Sequence, residues 1–157
     1  MARARTAATA ALSPREYFTR LVEARPDIAL CRATTMVTRA SERHYAQQGL
    51  SIGGHLVLGM LDAVGACSQQ ELSEGLRIDR SVMVGCVDGL ERAGLVSRQR
   101  NPHDRRAYDV TITEAGRKAL AEADAALPQM LDEVFAPLTE AERRDLTRLL
   151  RKALALG

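Results

Sequence analysis

The sequence predicts a mainly α-helical chain that carries one small β-hairpin. Three observations predict it. Ser or Thr followed three residues later by Glu recurs at Ser13, Ser68 and Thr139, each time before an apolar run of helical spacing, which is the signature of a capped helix start. The apolar period switches to two after Gly94, where Tyr108, Val110 and Ile112 alternate with Asp109, Thr111 and Thr113. Between Ser68 and Thr113 the parts come in a fixed order: a short capped helix, a tight turn, a second amphipathic helix, and a hairpin whose tip ends in Asp104-Arg105-Arg106. That order is a winged helix-turn-helix, with further helices on both sides.

Each element follows from local chemistry. Ser13 caps, Pro14 suits the first helical position and Glu16 completes a capping box, so a short helix runs to about Ala24. Pro26 and Asp27 open a long helix ending near Gly49, with Ile28, Leu30, Ala33, Val37, Ala40 and Tyr45 as its apolar positions. Ser51 starts the next, which buries Leu56, Val57, Met60, Leu61 and Val64 and stops at Gly65. Ser68-Gln69-Gln70-Glu71 starts a compact helix carrying Leu72 and Leu76. Asp79 is the expected N-cap of a helix to about Ala93, whose stripe of Met83, Val87 and Leu90 faces inward, and Gly94 stops it. Leu95 to Arg100 pairs with the strand after the turn Asn101-Pro102-His103-Asp104. Thr113 caps a long helix to roughly Phe135, which Pro128 is expected to kink or break. A last helix follows Thr139, with Leu146, Leu149, Leu150 and Leu154 on one face.

Bulk properties narrow the function. At 157 residues the length suggests one domain or one domain plus an extension: residues 1–12 read as a flexible basic tail and 13–157 as the domain. Aromatics are only 3%, which argues against a platform that stacks single-stranded bases. The net charge of +2 says little by itself. Its distribution says more: between Arg77 and Arg106 seven Arg stand against four Asp or Glu. The cysteines Cys31, Cys67 and Cys86 are odd in number and lack CxxC spacing, which points to a reducing cytoplasm rather than a disulfide framework. No run of apolar residues is long enough to suggest a membrane span, and the His and Cys residues show no metal-ligand spacing. There is no Gly-rich phosphate loop, nucleophile elbow or recognisable carboxylate pair, so neither an enzyme nor a cofactor is expected.

The layout separates a reading head, 51–112, from helical segments 14–48 and 114–156 that have too little of the head between them to bury their apolar faces. Such helices are most simply covered by a second copy, and a twofold dimer presents two heads to a pseudo-palindromic double-stranded DNA site.

From Leu72 to Gly116 the chain resembles the multiple-antibiotic-resistance regulator (MarR) family of bacterial transcription factors. The resemblance rests on Leu72, Ile78-Asp79-Arg80-Ser81, Val87-Asp88, Leu90-Glu91, Gly94-Leu95-Val96, Arg98, Asp104-Arg105-Arg106, and Thr113 with Gly116. It implies a homodimer joined through the terminal helices, acting as a repressor whose heads are re-spaced by a small molecule or an oxidant. It also implies that Arg106 enters the minor groove while Asp104 braces the hairpin. A narrow A·T-rich groove has the negative potential to hold such a guanidinium.

Other contacts follow from position. Arg105, Arg98 and Arg100 are candidates for phosphates, with a solvated surface charge the plainer reading of Arg100. Arg80 and Ser81 stand at a helix start, where unpaired N–H groups favour a phosphate. Ser68, Gln69 and Gln70 occupy the same kind of position one helix earlier, where Ser68 also serves as a cap. The family often has Thr and Arg where this chain has Val84 and Gly85. Arg reads guanine with two hydrogen bonds and Gly cannot, whereas Val84 can touch a thymine methyl. Base reading is therefore expected to lean on the wing and on DNA shape.

The resemblance places an effector between the dimerisation helices and the head, with Met36, Arg39, His44, His55 and Met60 as candidates; core filling is the competing reading for the Met residues. His55 could bond a phenolic or acidic aromatic ligand. Cys31, beside Arg32, is the redox candidate, against a plain buried thiol. A protein-interaction module that keeps the winged shape without binding DNA is the alternative of a different class.

Overall fold

Local capping signals set where the helices begin, and the structure follows them closely. The computed structural model describes residues 12–101 and 108–155. Their elements are α1 (Pro14–Ala24), α2 (Pro26–Gln47), α3 (Ile52–Val64), β1 (Cys67–Ser68), α4 (Gln69–Leu76), α5 (Arg80–Arg92), β2 (Val96–Arg100), β3 (Tyr108–Ile112), α6 (Glu114–Val134) and α7 (Glu140–Ala153). The capping boxes of Ser13 with Glu16, Ser68 with Glu71 and Thr139 with Glu142 are all formed reciprocally. Ser51 and Thr113 cap α3 and α6 through their hydroxyls.

The structure differs from local expectation at several points. On α3, Leu56 and Val64 are exposed, and Leu58 is buried instead. Asp79 stands at the N-cap of α5 but makes no side-chain cap bond; only its carbonyl accepts, from Met83 N–H at 2.9 Å. α6 runs unbroken through Pro128. The two residues of β1 were not legible as a strand, being too short to show any alternation.

Two compact units make up the chain, Met1–Thr38 and Arg39–Gly157, so that α2 contributes to both. In the first unit α1 buries no residue, and Tyr17, Phe18, Leu30 and Met36 are exposed. The Arg32 guanidinium lies over the Phe18 ring, 5.8 Å from its centroid.

The second unit holds the core. Val57, Leu58 and Leu61 of α3, Leu72 of α4, Met83 and Val87 of α5 and Val110 of β3 are its fully buried side chains. Three elements of the helix-turn-helix and one strand of the hairpin thus share one apolar centre, whose burial drives their assembly. The sheet order is β1-β3-β2, antiparallel throughout, with Cys67 opposite Val110 and Arg98 opposite the same Val110 from the other side. Ser97 and Thr111 hydroxyls meet across the β2–β3 pair at 2.9 Å. Among the described residues no helix is long and apolar enough to cross a membrane.

The cap of α4 yields a direct test. Ser68 Oγ accepts from Glu71 N–H at 3.2 Å, and Glu71 accepts from Ser68 N–H at 2.7 Å. Removing the hydroxyl with Ser68→Ala is expected to cost about 1 kcal/mol in chemical denaturation. The bonds from the Ser68 backbone and side chain hold the Glu71 carboxyl below the ordinary glutamate range. A folded-state pKa depressed in this way means that the box stabilises the head fully above the ordinary range. That contribution fades as the pH falls through the depressed value. An NMR titration should therefore find the Glu71 midpoint below that of an unstructured glutamate.

Candidate nucleic-acid interface

The turn between α4 and α5 is built by Arg77, which adopts the left-handed conformation at φ 53° and lets Ile78 N–H bond back to Ser73 O at 3.0 Å. Ser73 Oγ donates to Ile78 O at 2.6 Å and fastens the same turn. This leaves α5 with one face in the core, through Met83, Val87 and Leu90, and the opposite face open. Arg80, Ser81, Val82, Val84 and Gly85 are exposed on it. A Cβ built on Gly85 or Gly89 would meet no heavy atom within 4 Å, so the backbone there is bare. Arg80, Ser81, Val84 and Gly85 thus share the accessible face of one helix. Val82, which sequence reasoning missed, joins them; its position immediately before the inward Met83 was the available signal.

Arg98 has partners within the head. Its Nη2 donates to Asp88 Oδ1 at 2.5 Å, its Nη1 pairs with Glu91, and its backbone N–H donates to Glu91 Oε1 at 3.1 Å. The Gln69 carbonyl oxygen accepts from its Nε and Nη2 at 3.4 and 3.3 Å. The Arg98 side chain is only 22% exposed. One guanidinium therefore joins β2, α5 and the start of α4, and the carboxylates of Asp88 and Glu91 are neutralised beside the open face. Gln69 is held by the same contact, and its amide nitrogen is buried without a hydrogen-bond partner among the described residues. Gln70 donates to Glu74 at 2.9 Å. Ser68 is committed to its cap.

At the described base of the wing, the Arg100 guanidinium lies 5.8 Å from the Tyr108 ring centroid, and Asn101 donates to both Asp109 oxygens at 3.1 and 2.9 Å. Asp104, Arg105 and Arg106 lie outside the described residues.

Of the effector candidates, the structure brings His44 and His55 to the same Tyr45 ring. His44 is buried, with Nε2 3.1 Å from Ala123 O, and its ring meets Tyr45 edge-on. Met60 packs on α4, with Cε 2.8 Å from where a Cβ on Gly75 would stand. Met36 and Arg39 are exposed. His55 reaches the same ring from another side: its Nε2 is 2.7 Å from Asp124 Oδ1 and its ring stacks on Tyr45 at 4.5 Å between centroids. Tyr45 and Asp124 were not singled out from the sequence, because neither belongs to a motif. Cys31 is exposed, whereas burial pushes the thiols of Cys67 and Cys86 above their usual range.

Known proteins share this arrangement. A sequence model of the MarR family matches residues 48–107. A transcriptional repressor, CouR, solved bound to a 23-mer DNA duplex, is 30% identical, with a TM-score of 0.79 over 85% of this chain and 95% of its own. BpsR of Bordetella bronchiseptica, solved in connection with regulation of its DNA binding by 6-hydroxynicotinic acid, is 29% identical over 80% of this chain and 89% of its own, with a TM-score of 0.74. A putative transcriptional regulatory protein for the hcr operon of Thauera aromatica is 36% identical over 97 residues, 60% of this chain but only 58% of that relative's length. With the head, the flanking helices and the sequence in agreement, the chain belongs to the MarR family of winged helix-turn-helix transcriptional regulators.

Proposed function

We propose that the protein is a homodimeric repressor that binds a pseudo-palindromic duplex operator and is released by a small aromatic effector carrying an acidic or phenolic group. The open face of α5 beside a basic wing carries the DNA part of this reading. The likeness to CouR, which was solved on duplex DNA, supports it. Two heads related by a twofold axis suit a site with the same symmetry.

The dimer is supported by what the single chain leaves uncovered. α7 buries no residue, and Leu149, Leu150 and Leu154 are exposed. A groove of about 500 Å³ runs between α6 and α7, lined by Leu127, Pro128, Leu131, Phe135, Leu146 and Leu150 among others. Apolar surface of this kind favours a second copy.

The effector class is supported by BpsR, whose DNA binding is regulated by a hydroxylated aromatic acid, and by His55 with its side chain 15% exposed between Asp124 and Tyr45. The redox alternative rests on Cys31, which is exposed. Loss of an oxidant response in Cys31→Ser would favour it over the aromatic effector.

Fluorescence anisotropy with a duplex selected by the full-length protein tests the DNA reading. Binding should be sequence-specific and fall steeply with salt as counterions are released. Indifference to both sequence and salt would overturn it. Within the wing, Arg106→Ala is expected to weaken binding by roughly tenfold or more, the scale of one well-placed groove contact, and Arg100→Ala by less. Equal losses would remove Arg106 from the minor groove.

A further inference from the structure

The open face of α5 offers few side chains that read bases by hydrogen bonding. Asp88 is held by Arg98 at 2.5 Å. Arg92 turns back on its own helix, where Nε donates to Asp88 O at 3.2 Å. Arg80 is the first residue of α5, where a phosphate is the natural partner. What remains is Ser81, the bare backbone at Gly85 and Gly89, and two valines that flank this strip, Val82 at 59% and Val84 at 45% exposure. Exposed β-branched side chains add nothing to the fold of a helix and slightly disfavour it.

Only one group on a base pair complements the two valines. In the major groove guanine, adenine and cytosine present donors and acceptors, and the thymine C5-methyl is the sole apolar group. The missing Cβ at Gly85 and Gly89 lets the helix backbone approach the base edges, with Val82 and Val84, two positions apart, on opposite flanks of that strip.

We infer that Val82 and Val84 read thymine methyl groups, so that this protein selects T·A steps in the major groove by apolar contact rather than by hydrogen bonding. The inference rests on the duplex-binding reading above and specifies its chemistry. It predicts discrimination of thymine from uracil, two bases that differ by the methyl alone and share every hydrogen-bonding group.

The experiment uses full-length protein and a duplex recovered by selection from random sequence, made either with thymine or with deoxyuridine at each thymine in turn. At the positions under α5, uracil should weaken binding about fourfold per methyl contacted, the scale set by burying one methyl-sized group. Non-specific binding to an unrelated duplex should not change. The Val82→Ala, Val84→Ala double variant should fold normally, bind the thymine duplex more weakly, and no longer distinguish it from the uracil duplex. Specific binding that ignores uracil at every position would overturn the methyl reading and leave DNA recognition intact, as would discrimination that survives in the double variant. Failure to select any duplex would overturn the reading beneath it and turn attention to a protein partner for the same valines.

Discussion

Arg98→Ala is expected to weaken operator binding by roughly tenfold, and the loss is expected to be reversible by two further substitutions. Deleting the guanidinium frees the carboxylates of Asp88 and Glu91, which are 49% and 39% exposed beside the recognition face. Two unpaired negative charges then face a phosphate backbone, and like charges at such range cost on the order of 1 kcal/mol or more. Adding Asp88→Asn and Glu91→Gln removes those charges and should restore most of the affinity. A phosphate contact by Arg98, the expectation drawn from the sequence, gives a different result: the triple variant would stay weak, and the slope of log K against log salt would fall by about 0.9. Anisotropy at several salt concentrations separates the two. Arg98→Lys should not substitute fully, because an ammonium cannot span Asp88, Glu91 and Gln69 as the planar guanidinium does.

Gly116→Ala is expected to destabilise the fold by about 3 kcal/mol, at the upper end of overpacking penalties. An added Cβ would lie 2.1 Å from Leu95 O and 2.8 Å from Ile112 Cγ1. Neither can yield cheaply. Leu95 O already accepts from Thr113 N–H at 3.0 Å, and Thr113 Oγ1 donates to Gly94 O at 2.7 Å while accepting from Gly116 N–H at 3.0 Å. This knot fastens α6 to the root of the wing. For a chain of this size the melting temperature should drop by roughly 6–12 °C. Gly59→Ala is the matched control: a Cβ there meets nothing within 4 Å, so in mid-helix the same change should be neutral or stabilise by up to about 1 kcal/mol. A small effect at Gly116 would mean that the wing root adjusts freely.

The features legible in the sequence were those decided within a few residues. A cap and its glutamate lie three positions apart, so Ser13, Ser68 and Thr139 marked their helices directly. The stripe of Met83, Val87 and Leu90 is set by helical geometry alone, and it fixed which side of α5 is open. What stayed hidden depends on distant partners. Arg98 looked like a surface cation because Asp88, Glu91 and Gln69 reach it only after β2 folds back on α5 and α4. His44 is buried, with the Ala123 carbonyl, 79 positions away, accepting from its ring. His55 gained its setting in the same way from Asp124, 69 positions away. Pro128 was expected to disturb α6, but removing one donor did not end a helix whose other bonds continue past it.

The two-residue strand β1 has one more consequence. Ser68 is at once the last residue of β1, opposite Asp109, and the N-cap of α4. Sheet and helix share a residue, and no spacer lies between them in which a bend could form. Arg98 ties the same strands to α5 from the other side. Each head is therefore a gauge of fixed width from hairpin to recognition helix. In the proposed dimer, an effector acts on how far apart two such gauges stand, because the interval within one is set at folding.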